Sequence, residues 1–207
     1  MGRRKRAQGK GKATGNGKRA TGNGQRATGN GQRATMESHT ERIQRMRTAY
    51  REAHERFVKR LRDAPAEAVE RVPPDGGWSA AQIGWHVAAV DASFAGLMSG
   101  ERPGAQPLGE GTSEKPWSEI VAGIPSKLEA GKRVQPPAYV RREEVLSALE
   151  ESSAKLDAAL AGLDPDRGAT QAITHPVVGT VTLRQIGDWA VAHTIRHNAQ
   201  AKRVLGF

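Results

Sequence analysis

The 207-residue chain contains no cysteine. That excludes a disulfide scaffold, a thiolate metal site and a cysteine nucleophile. Aromatic residues make up only 4% of it, too few for a stacking platform on single-stranded nucleic acid. No apolar run approaches the roughly 18 residues of a membrane-spanning helix, so no membrane partner is expected. The basic start lacks the apolar stretch of a secretory signal, and a cytoplasmic location is the expectation. Acidic residues are missing from one region only. Residues 1–35 hold ten Lys and Arg and no Asp or Glu, whereas residues 36–207 hold 22 basic and 22 acidic side chains. The net charge of +10 therefore sits wholly in the first 35 residues. The neutral remainder is long enough to bury a core.

The first 35 residues carry a repeat of seven. Ala13 to Arg19 reads ATGNGKR, and ATGNGQR follows twice, from Ala20 to Arg26 and from Ala27 to Arg33. No position is apolar enough for a coiled-coil seam. Two glycines per unit make helix and strand costly, so a disordered basic tail is expected. Such an arm can hold nucleic acid weakly through charge alone. The stronger reading is a translated repeat ahead of a true start at Met36, because charge runs are a weak sign of a partner. Two regions follow: a tail over 1–35 and a folded domain over 36–207.

Four amphipathic helices are legible in the domain. The first spans about Ser38 to Leu61, with Ile43, Met46, Tyr50, His54, Phe57 and Leu61 stepping by three or four. The second starts at Ser79, whose spacing to Gln82 suits a capping box, and ends at Gly100. Its stripe includes Ile83, His86, Val87, Val90, Phe94 and Leu97. The third runs from about Arg142 to Leu163 and stops at Asp164-Pro165. The fourth starts at Thr182, again three residues before a glutamine, and carries Ile186, Trp189, His193, His197 and Val204 inward. Residues 101–140 are rich in Gly and Pro, with a short helix over about Ser118–Lys132. The stretch His175–Thr180 reads as a loop or short extended piece. With no clear strand alternation, the expected fold is an all-α four-helix bundle.

The histidines carry the chemistry. His193 and His197, four apart, lie about 6 Å along one helix and about 40° around it, so both rings can meet one metal ion. His86 sits mid-stripe on another helix. Three imidazoles from two facing helices can cap a metal and leave positions open. The competing reading is three satisfied core histidines, which is the ordinary one for His54. A zinc protease is excluded, because Thr194 stands where that motif needs Glu. Burying three imidazoles without a metal would leave ring nitrogens to satisfy in an apolar interior.

Two segments resemble the DinB superfamily, also called DinB/YfiT-like proteins. One is Gly77 to Ala88, GWSAAQIGWHVA. The other runs from His175 to Gln200, with HPVVGTVTLR leading into AHTIRHNAQ. The resemblance covers about residues 38–207. It implies an up-up-down-down four-helix bundle whose metal-binding histidines fall on His86, His193 and His197. It implies zinc or nickel, a homodimer, and an activity of the thiol S-transferase type that uses mycothiol or bacillithiol, or that of a metal-dependent hydrolase. Members without known activity leave a third reading, a non-enzymatic stress protein or a bundle that reaches nucleic acid through its tail.

Three neutral ligands leave a divalent metal its charge, which can lower the pKa of a bound water or deprotonate a bound thiol. The chain has no cysteine, so any thiol comes from outside. A small molecule, electrophilic in the thiol route, is the expected substrate. Gln200 shares the face of His193 and His197 and is a candidate to orient a ligand. His175 can reach over the site from its loop, and Arg196 flanks it as a partner for an anionic group. Asp188 is five residues before His193 and is expected to point elsewhere. Trp85 and Trp189 are expected to pack.

Overall fold

The computed structural model describes residues 37–125 and 128–206. The expectations for the basic repeat and for a start at Met36 lie outside these residues. Four long helices dominate: α1 (His39–Asp63), α3 (Ala80–Ser99), α5 (Arg142–Ala161) and α7 (Gln185–Val204). Short elements join them: α2 (Ala66–Glu70), β1 (Gln106–Pro107), α4 (Trp117–Ala122), a 3-10 turn (Lys132–Val134), α6 (Pro165–Thr170), β2 (Gln171–His175) and β3 (Gly179–Thr182).

Local chemistry sets the helix ends. Ser38 caps α1 by accepting from Glu41 N, and the Glu41 carboxylate accepts from Ser38 N in return. Ser79 and Gln82 form the same reciprocal pair at α3, at 3.1 and 2.9 Å. Gly100 ends α3 at φ +87°, a left-handed backbone that glycine adopts without strain. The predicted helix over 118–132 is shorter than expected: Trp117–Ala122 stops at Gly123, with Pro125 beyond it.

Hydrogen bonds between elements fix the helix directions. His39 Nε2–H donates to the Leu163 carbonyl at 3.0 Å, so the start of α1 meets the end of α5. Arg42 pairs with Asp188 and Arg60 donates to Asn198, so α1 and α7 run parallel. Gln82 donates to carbonyls just before α5, and Arg167, just after α5, donates to the Leu97 and Met98 carbonyls; α3 and α5 are therefore parallel too. Phe94 packs on Trp189 while His86 meets His193 and His197, so α3 opposes α7. In chain order the helices run up, down, down, up, which corrects the up-up-down-down expectation. Two crossovers are needed for the latter. Here only residues 100–141 travel the helix length; the other two connections turn back at one end.

A small three-stranded antiparallel sheet in the order β1-β2-β3 adds to the all-α expectation, and its β2–β3 hairpin takes in the stretch read as a loop or short extended piece. Gln106 pairs with Ala172, and Ile173 pairs with Val181. These strands are too short for a period of two to stand out. The core divides into two clusters along the helices. Met46, Tyr50, Phe94, Leu160 and Ile186 fill one, and Phe57, Leu61, Ile83, Val145 and Leu149 fill the other. Close approaches mark Gly84 and Gly187. A Cβ at either would stand 2.7 Å from a neighbour, Val145 Cγ2 or Met46 Sδ.

Candidate metal centre

His86 faces α7 from the middle of α3, and the i, i+4 pair His193 and His197 faces back. One ring nitrogen from each lies within 4.8 Å of the other two. The Nε2 atoms of His86 and His193 are 3.2 Å apart, and the three ring centroids stand 4.4–5.1 Å from one another. Among the described residues this is the one group of three such side chains that converges, and no carboxylate belongs to it.

The surroundings decide which nitrogen is free. The Val134 carbonyl lies 2.8 Å from His86 Nδ1 and can only accept, so Nδ1 carries the proton and Nε2 keeps its lone pair. Gln200 Oε1 does the same for His197 Nδ1 at 2.8 Å. His193 Nδ1 is buried with no hydrogen-bond partner. Burial lowers the pKa of all three rings, and for His193 and His197 the neighbouring imidazoles and Arg196 lower it further; His197 is held at about 4. The rings are thus neutral at pH 7, with two lone pairs fixed toward a third imidazole. No hydrogen-bond pattern among neutral rings satisfies all of these nitrogens. A divalent cation would take one lone pair from each ring. Its usual bonds of about 2.0–2.1 Å to imidazole set tetrahedral ligand separations of about 3.3 Å, which His86 and His193 already match at 3.2 Å and which the group, spread within 4.8 Å, would reach by drawing in.

The other sequence candidates take distinct places. Gln200 touches His197, as its spacing suggested. Arg196 Nη1 donates to the Pro125 carbonyl at 3.2 Å, and its charge acts on His193 and His197. His175 is not brought into the cluster. Its Nδ1 accepts from the Val177 and Val178 amides and its ring stands edge-on to Trp189. Asp188 is turned toward Arg42 and Arg45. His54 Nε2–H donates to the Leu149 carbonyl at 3.1 Å, as a satisfied core histidine does. Trp85 is half-buried and packs against the core, and Trp189 packs on Phe94. Sequence reasoning missed the Val134 carbonyl, which has no side-chain signature. It also missed Trp78, whose ring centroid stands 5.0 Å from that of His86.

A family model described as the DinB superfamily matches residues 49–201. A crystal structure described as that of a conserved protein from Enterococcus faecalis aligns with a TM-score of 0.54 at 17% identity. It covers 78% of this chain and 94% of that one, and the likeness is one of fold. No curated protein matches.

Proposed function

We propose, on the premise that this chain belongs to the DinB superfamily, that it is a metal-dependent enzyme acting through an external low-molecular-weight thiol. His86, His193 and His197 would hold the cation, zinc or nickel, inside a four-helix bundle formed by α1, α3, α5 and α7. One observation carries the reading: three neutral imidazoles converge with no acid among them, and two have their free nitrogen fixed by an acceptor behind the ring. A divalent cation held by neutral ligands supplies undiminished positive charge, which favours the thiolate over the thiol and leaves coordination positions open.

The chain's own residues account for the rest. Val134 and Gln200 hold two rings in the orientation that binding needs. Trp78 packs its ring beside His86, with centroids 5.0 Å apart, and so limits the ring's freedom to turn. Arg196 adds positive charge beside the site, where it would meet an anionic cofactor or substrate. Hydrolysis is the competing chemistry on the same ligands. The thiol route is favoured because the cluster contains no carboxylate to serve as general base. The chain has no cysteine, so the thiol is separate, in the manner of mycothiol or bacillithiol. In this reading the protein works in the cytoplasm as a homodimer on a small electrophile, and residues 36–207 are sufficient for it.

The test begins with protein purified without a histidine tag. Elemental analysis should find about one divalent metal per chain, and the cobalt(II) form should show a nitrogen-ligand spectrum. Thiol consumption with a model electrophile should then require the metal. Metal-dependent ester or amide hydrolysis without any thiol would move the assignment to a hydrolase. Absence of stoichiometric metal at neutral pH would overturn both.

A further inference from the structure

Gln82 stands four residues before His86, on the same side of α3. Its side chain is buried and makes three hydrogen bonds. The oxygen accepts from Ser79 N at 2.9 Å, which completes the helix cap. The amide nitrogen leaves the helix and donates to two successive carbonyls, Pro137 at 2.8 Å and Ala138 at 3.0 Å. A capping glutamine needs only the first of these. The other two clamp the segment that carries Val134, whose carbonyl receives His86 Nδ1–H.

The clamp is stiffly coupled to that carbonyl. Only Gln135 and Pro136 separate Val134 from Pro137. Both prolines have φ fixed by their rings, and the residue before Pro136 is restricted to extended backbone. Gln135 is extended, at φ −73° and ψ 129°. Its amide also donates to the Ala130 carbonyl at 3.0 Å, closing the turn from the other side. Fixing residues 137 and 138 therefore fixes where the Val134 carbonyl points. The two ends of the span rest on one helix, one turn apart, at Gln82 and His86.

We propose that Gln82 is a positioning residue for the metal centre. It acts through residues 134–138 on His86, aiming the carbonyl that holds the imidazole with Nε2 toward His193 and His197. The inference rests on the three-histidine reading above. It adds a residue that touches no ligand nitrogen and a chain segment that should respond to metal.

The experiment uses the full chain and cobalt(II). Gln82→Glu keeps an oxygen for the Ser79 amide and loses the donor to both carbonyls. Gln82→Met loses both functions without adding charge. Ser79→Ala weakens the cap and leaves the clamp. Cobalt affinity should fall about 10–100-fold in both Gln82 variants, the range usual for groups that orient metal ligands, and stay within about twofold in Ser79→Ala. Tryptic cleavage after Lys132 or Arg133 supplies a second readout. Cobalt should slow it in wild type and in Ser79→Ala, and should not in the Gln82 variants. If Gln82→Glu fails to fold, Gln82→Met decides. Wild-type cobalt affinity and wild-type protection in Gln82→Met would overturn the positioning role while leaving the metal centre standing. A wild type that takes up no cobalt would instead overturn the metal reading, and this role with it.

Discussion

His54 and His86 both occupy apolar helix faces, and their nitrogens separate them. His54 reaches a carbonyl of α5 and no other imidazole, whereas His86 has one nitrogen held by Val134 and the other 3.2 Å from His193. Replacing His86, His193 or His197 with Ala should therefore abolish tight metal uptake, measured by zinc titration, and His54→Ala should not. Asp91 is a second residue whose partner count is short. It is fully buried, accepts from Tyr50 Oη–H at 2.7 Å and leaves its other oxygen without a donor. Burial raises its pKa from 3.8 to about 7. A raised carboxyl pKa contributes stability that is fully present below the unfolded value and is lost as pH rises through the folded one. Asn keeps an acceptor for Tyr50 and carries no charge. Asp91→Asn should therefore be stabilising at pH 8, by up to about 4 kcal/mol at about 1.4 kcal/mol per pKa unit, and nearly neutral at pH 4. Thermal denaturation at the two pH values decides it; an equal shift at both would refute the titration argument.

Helices were legible where their ends are written in side chains. Ser38, Ser79 and the Asp164-Pro165 stop put α1, α3 and α5 within a few residues of their expected limits. At α7 the expected capping pair exists, since Thr182 N–H donates to Gln185 Oε1 at 3.1 Å, yet the helix begins at Gln185 because Thr182 also closes β3. The three histidines were legible because residues four apart must share a helix face and an apolar stripe must turn inward. Helix direction was not, because connections set it rather than stripes. The Val134 carbonyl was not, because every residue has one. Helix contacts also carry a prediction. A Cβ at Gly187 would stand 2.7 Å from Met46 Sδ and 2.9 Å from Leu160 Cδ2. Gly187→Ala should cost about 1–3 kcal/mol by overpacking where α1, α5 and α7 meet. Gly131→Ala, where a Cβ would meet nothing within 4 Å, should cost much less in the same urea titration.

Across the whole molecule the buried histidines and Asp91 pull stability in opposite directions with pH. His86, His193 and His197 have lowered pKa values, so the stability they contribute is present above about 6.5 and is lost as pH falls, toward about 4 for His197. Asp91 favours the acid side of that window. Metal-free Asp91→Asn should therefore lose stability more steeply between pH 7 and 4.5 than the metal-free wild type. A chain starting at Met36 should keep the wild-type melting temperature and metal uptake, because all of the ligands and their supports lie beyond that point. The parallel pairing of α1 with α7 has a further consequence for biosynthesis. Arg42 and Asp188 are 146 positions apart, and two of the three imidazoles lie on the last described helix. Until α7 is made, the apolar residues of α1 and α3 that pack on it lack that cover, and apolar surface left exposed in this way invites aggregation. If the three histidines hold a metal as proposed, capture waits until α7 has been made, because two of the three ligands lie on it.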